Sequence, residues 1–159
     1  MYSEPIQIYT DGAASGNPGP GGFGVILISG KHRKEFSKGF RKTTNNRMEL
    51  LAVIEGLEAI KYENSNVTVF SDSKYVVDAV EQKWLFEWEK KRFKNKKNQD
   101  LWIRFLKVYR KHNVKFVWIK GHNDNPENEK CDKMAVAASQ QPYLLIDEEY
   151  EKEYNNKLL

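Results

Sequence analysis

A chain of 159 residues, 40% apolar and 30% charged, is sized for one domain with a proper core. No apolar run is long enough to span a bilayer and Met1-Tyr2-Ser3-Glu4-Pro5 has no signal-peptide pattern, which argues against membrane and secreted classes. The net charge of +4 is unevenly spread: residues 141–159 hold Asp147, Glu148, Glu149, Glu151 and Glu153 against two lysines, leaving a basic body near +7 that suits a polyanionic partner. The single Cys131 has no partner for an internal disulfide, so a reducing cytoplasm is the expected location, with Cys131 a small packing residue.

Taken in order, residues 5–10 alternate as a strand and lead into a glycine- and proline-rich turn from Asp11 to Gly22. Residues 23–28 read as a second strand and 34–41 as a third, together an antiparallel meander. Leu50, Val53, Ile54, Leu57 and Ile60 recur at helical spacing and predict a helix over 47–62. A strand over 67–70 precedes one helix over 74–88, in which Val76, Val80, Trp84 and Trp88 fall four apart. A basic loop over 90–98, a helix over 101–109 and a strand over 114–119 follow. Pro126, placed at a first helical turn, opens a last helix through Ala138. The order βββαβααβα predicts an α/β fold with a mixed five-stranded sheet and flanking helices in residues 1–141. Residues 142–159 read as an acidic C-terminal extension.

Two strands end alike, Ile8-Tyr9-Thr10-Asp11-Gly12 and Val69-Phe70-Ser71-Asp72-Ser73. Laid side by side, they bring two carboxylates to one sheet edge, and open α/β sheets bind ligands just beyond the carboxyl ends of their strands. Asp11 alone also reads as a turn residue, Asp72 as a helix cap, Glu49 as the reciprocal partner of an Asn46 cap and Asp132 as a solvated helix position. All four sit at element ends or in early helical turns, where a sheet edge and two helices can converge. Clustered carboxylates repel unless a cation lies between them, and hard oxygen ligands suit Mg²⁺ or Mn²⁺ rather than zinc.

The segments Tyr9-Thr10-Asp11-Gly12, Gly16-Asn17-Pro18-Gly19-Pro20-Gly21-Gly22, Thr43-Thr44-Asn45-Asn46-Arg47-Met48-Glu49-Leu50, Ser71-Asp72-Ser73, Lys120-Gly121-His122 and Asn125-Pro126-Glu127-Asn128-Glu129-Lys130-Cys131-Asp132 resemble type 1 ribonuclease H. The likeness is collinear from about residue 5 to 140 and is greatest to the cellular bacterial enzymes. It implies the ribonuclease H-like fold and an endoribonuclease that hydrolyses the RNA strand of RNA–DNA hybrids, leaving 5′-phosphate and 3′-hydroxyl ends. It further implies that Asp11, Glu49, Asp72 and Asp132 bind two Mg²⁺ ions per site, with Mn²⁺ a possible substitute. Two such ions about 4 Å apart activate a water and steady the leaving oxygen. The family's mobile histidine matches His122, implying proton traffic or product release.

The resemblance also assigns Asn17 and Asn45 to the 2′-hydroxyl side of the hybrid, the feature that tells RNA from DNA. Thr44 and Asn46 resemble a pocket that grips a phosphate of the DNA strand. Residues 83–98 resemble a basic handle, here somewhat shortened. Trp84, Trp88 and Phe93 alternate there with Lys90, Lys91, Arg92 and Lys94, since rings pack on sugars while cations meet phosphates. By periodicity alone the two tryptophans continue the core stripe of Val76 and Val80. The expected partner is an RNA–DNA hybrid met by a monomer, with no membrane. Asp124 adds a carboxylate where some relatives carry a second histidine.

Overall fold

The structure, a computed structural model, describes residues 4–120 and 125–158. Its elements run β1 (Ile6–Ala14), β2 (Gly19–Ser29), β3 (His32–Thr43), α1 (Asn45–Glu58), β4 (Asn66–Ser71), α2 (Lys74–Glu81), α3 (Trp84–Lys90), α4 (Gln99–Tyr109), β5 (Asn113–Trp118), α5 (Pro126–Ser139) and α6 (Glu148–Leu158). The five strands lie in the order β3-β2-β1-β4-β5. β1, β2 and β3 form the antiparallel meander, while β4 and β5 join β1 in parallel. The predicted mixed sheet is therefore the sheet observed.

Gly24 and Val25 turn to opposite faces of β2, as successive strand residues must. A Cβ on Gly24 would strike the Cys131 carbonyl of α5, whereas Val25 packs beside Gly56 of α1. The helices α1 and α5 therefore cover opposite faces. On the α1 side, Ile8, Val25, Leu50, Ile54, Leu57, Trp102 and Phe105 are almost wholly buried. Each such side chain contributes roughly 1.5–3 kcal/mol on leaving water. Tyr75 ties α2 to α4 through its hydroxyl, which accepts from Trp102 Nε1 at 3.0 Å and from Asn98 Nδ2 at 2.9 Å.

Two local expectations need correction. β1 does not turn at Asp11 but runs through to Ala14, and β2 starts at Gly19, so the true turn is only the segment between them. The single helix expected over 74–88 is two, because Lys83 adopts the left-handed conformation at φ 64°. That break shifts the helical phase by one residue. Leu85 takes the core position and Trp84 swings outward to 50% exposure. The acidic C-terminal extension packs on the sheet. Leu145 pairs with β3 through its N–H to Gly39 O and its carbonyl to Arg41 N, each 2.9 Å, and α6 follows.

α6 lies against β3. Arg41 makes a two-pronged pair with Glu151 at 2.9 and 2.8 Å, and the Lys42 ammonium sits 3.5 Å from the centre of the Tyr154 ring. Among the described residues no helix is long and apolar enough to cross a membrane.

Candidate active site

The register of β1 against β4 pairs Ile8 with Val69 and Tyr9 with Phe70 in parallel. Continuing both strands by two residues carries Asp11 alongside Asp72 at the carboxyl edge of the sheet. Glu49 arrives from α1. Thr44 starts that helix, its Oγ1 accepting from Arg47 N at 3.2 Å, which puts Glu49 in the second turn. Gly12 allows the approach: a Cβ there would lie 2.4 Å from the Met48 carbonyl carbon and 2.5 Å from Glu49 N. The glycine after Asp11 thus answers to helix packing, not to a turn.

One carboxylate oxygen from each of Asp11, Glu49 and Asp72 falls within 4.8 Å of the others. Asp132, on α5, completes the group: it lies within hydrogen-bonding reach of Asp11, and all four line one open pocket of about 580 Å³. α5 reaches this position because the glycines of β2 let its backbone settle onto the sheet, with Cys131 Sγ donating to Tyr9 O at 3.3 Å. Burial raises the Cys131 thiol to about 12, so it is an inert packing group.

The electrostatics favour a cation. Burial pushes the Asp11 carboxyl far above its ordinary value, and the charges of Asp72 and then Asp132 push it further, against the pull of the Gly12 N–H at 3.0 Å. Glu49 rises to about 7, first by burial and then by the charge of Asp72, while the Ser73 side chain bonds to it and resists the shift. Opposite charge beside Asp11 and Glu49 would favour their ionised forms. Their oxygen-only donor set fits a hard divalent ion.

Around this centre, Asn17 and Asn45 form a chain of bonds between the 15–18 turn and the start of α1. Asn45 N donates to Asn17 Oδ1 at 3.2 Å, and Asn45 Oδ1 accepts from Ala14 N at 2.6 Å. Asn45 and Asn46 both line the carboxylate pocket, and Thr44 is the helix cap. His122 and Asp124 lie outside the described residues.

The handle is a second, separate concavity of about 460 Å³ lined by Trp84, Trp88, Lys91, Lys94 and Lys96, with the Lys96 ammonium 4.9 Å from the centre of the Trp88 ring. Lys90 is exposed beside Glu87 at 3.3 Å, and Arg92 adopts positive φ in the loop that follows. Phe93 does not belong to this surface: only 5% exposed, it joins the hydrophobic core. Its positive φ of 58° turns the loop and sends the ring inward, so alternation with cations is a misleading signal here.

Sequence reasoning passes over several residues at the site. Trp118 Nε1 donates to the Asp72 carbonyl at 3.3 Å, and the Lys74 ammonium lies 4.5 Å from the Trp118 ring centre. Asn128 and Lys133 line the pocket. Asn128 is readable in principle, for it precedes Asp132 by four residues and so shares its helix face.

An α/β domain with its carboxylates gathered at the edge of a 3-2-1-4-5 sheet defines the ribonuclease H-like class. Comparison with known proteins narrows this further: the RNase H family model matches residues 3–140, and the chain belongs to that family. Ribonuclease H from Desulforamulus reducens is 57% identical over 147 residues, spanning 89% of this chain and 92% of that relative. Ribonuclease H from Trichodesmium erythraeum is 53% identical over 151 residues, spanning 92% and 96%. Among solved structures, LC9-RNase H1, a type 1 RNase H with the type 2 active-site motif, superposes with a TM-score of 0.79 at 30% identity over 87% of this chain and 74% of that one. LC11-RNase H1 in complex with an RNA/DNA hybrid gives 0.61 at 28% identity over 84% and 95%.

Proposed function

We propose that this protein is an endoribonuclease that hydrolyses the RNA strand of RNA–DNA hybrids, leaving 5′-phosphate and 3′-hydroxyl ends. The observation that carries the reading is the convergence of Asp11, Glu49, Asp72 and Asp132 on one open pocket in a chain of this family. Those four residues would hold two Mg²⁺ ions, or Mn²⁺ in their place, supplying Lewis acidity for the attacking water and the leaving oxygen.

The chain's own residues do the rest. Asn17 and Asn45, bonded to each other beside the pocket, present polar groups to the ribose 2′-hydroxyls. Thr44 and Asn46 face a phosphate of the DNA strand. Trp84, Trp88, Lys90, Lys91, Arg92 and Lys94 extend the interface along the backbone, without Phe93. His122 moves a proton or aids product release. We assign residues 1–141 to the catalytic domain, with the handle at 83–98, and 142–159 to the extension. The four carboxylates all come from one chain, which supports a monomer, and the lone buried Cys131 supports a cytoplasmic location.

A gel assay on labelled RNA–DNA, RNA–RNA and DNA–DNA duplexes, with Mg²⁺ and with EDTA, tests the reading. Cleavage confined to the RNA of the hybrid and abolished by EDTA is expected. Equal cutting of all three, or cutting in EDTA, overturns it.

A further inference from the structure

One polar atom stands apart. The Asn128 side-chain oxygen is buried and lacks a hydrogen-bond partner, the only such side-chain atom among the described residues. Asn128 is 6% exposed, yet it lines the carboxylate pocket with Asp11 and Asp132. Its backbone is held firmly, the N–H donating to Asn125 Oδ1 at 3.0 Å in the first turn of α5. Four residues before Asp132, it sits one turn up on the same helix face. A buried acceptor left unmatched is costly, and at the wall of an open pocket a bound water or ion is one way to complete the bonding.

We propose that Asn128 is a further member of the metal centre: its amide oxygen accepts a hydrogen bond from a water held by the cation on the Asp11–Asp132 side. The inference rests on the metal site assigned above. A water polarised by a divalent ion is a strong donor, and a neutral amide accepts from it without adding to a cluster already dense in negative charge. An aspartate at 128 would be a fifth carboxylate, and an apolar residue would leave that water loosely oriented.

The test uses the full chain, stripped of metal, with Mg²⁺ and in parallel Mn²⁺ titrated by calorimetry, and melting curves in EDTA and in Mg²⁺. Asn128→Leu keeps the γ-branch and removes the acceptor; Asn128→Asp preserves shape and adds charge. Leu should weaken ion binding by about 10-fold, while melting in EDTA at or above the wild-type temperature. Asp should bind the ion more tightly than wild type. Ion affinity unchanged in both variants overturns the proposal. So does a Leu variant destabilised equally in EDTA and Mg²⁺, which makes the amide oxygen part of an internal bond. Unchanged ion affinity with lost discrimination against a single 2′-deoxy position in the hybrid assigns Asn128 to the ribose instead, and also overturns it. A wild-type protein that binds no better than Asp11→Asn sinks the metal site itself, a different failure.

Discussion

Arg47, in the first turn of α1, grips both carboxylate oxygens of Asp147 from Nε at 2.7 Å and Nη2 at 2.9 Å. Its other edge holds both oxygens of Asp100 at 2.9 and 2.7 Å, and Thr43 Oγ1 donates to Asp147 at 2.8 Å. Arg47 and Asp147 are both nearly inaccessible to solvent. The C-terminal segment is thereby bolted to the helix that carries Glu49. Removing one partner from such a buried pair costs about 3–5 kcal/mol, so Asp147→Ala should lose that much in urea unfolding. Truncation after Gln141 should lose at least as much. An unaltered midpoint would show that the tail contributes nothing to the fold.

Acid should attack the same node. Burial alone would raise the Asp100 carboxyl, but the hydrogen bonds and charge of Arg47 outweigh it and hold it below its ordinary range. The unfolded chain then takes up the proton first. The stabilisation is complete above the free carboxyl value of about 3.9 and is lost as pH falls through the depressed folded value. Asp100→Asn should be less stable than wild type at neutral pH, with the gap closing at low pH. A gap that stays constant down to acid unfolding contradicts the assignment.

At the metal centre, Asp11→Asn removes charge at nearly constant shape. Cleavage should fall by orders of magnitude, while the metal-free protein should melt at a higher temperature because the cost of burying an ionisable carboxyl, and then its repulsion from Asp72 and Asp132, is relieved. Near-normal cleavage in Mg²⁺, or a lower melting temperature in EDTA, would tell against this electrostatic account.

Gly12→Ala probes packing rather than chemistry. The new methyl meets backbone atoms of Met48 and Glu49, which have no rotamer by which to withdraw. Pushing α1 away from β1 should lower the melting temperature and weaken ion binding together, although no ligand is changed. Loss of one without the other in paired calorimetric and melting measurements would refute the coupling.

Neutralising Lys90, Lys91, Lys94, Lys96 and Lys97 together should raise KM with little effect on kcat. The salt dependence of KM should flatten by a slope of about 0.9 for each phosphate that no longer meets a lysine, provided the hybrid behaves like B-form DNA. Trp84→Ala should act in the same direction, and Phe93→Ala should instead destabilise the fold. An unchanged salt slope would remove the handle from the interface.

Much of the site is legible in the sequence because its signals are local. Asp11 and Asp72 each follow an apolar run and a hydroxyl residue, and the parallel register of Tyr9 with Phe70 sets them side by side. Three other features are not readable because their causes lie elsewhere in the chain. Gly12 looks like a turn residue until α1 is seen pressing on it. A lysine at position 83 gives no hint of left-handed backbone, so the phase shift that exposes Trp84 and buries Leu85 is invisible in the spacing. Asp147 resembles every other acid in an acidic tail, and only the folded chain pairs it with Arg47.

The four carboxylates come from β1, from the residue that follows β4 and from helices docked on opposite faces of the sheet. Asp132 lies more than one hundred residues beyond Asp11. A chain emerging from the ribosome therefore carries Asp11, Glu49 and Asp72 well before it can complete the group. The pocket is incomplete until α5 has been made and has settled onto β1 and β2. Chain order thus makes completion of the pocket a late event in synthesis.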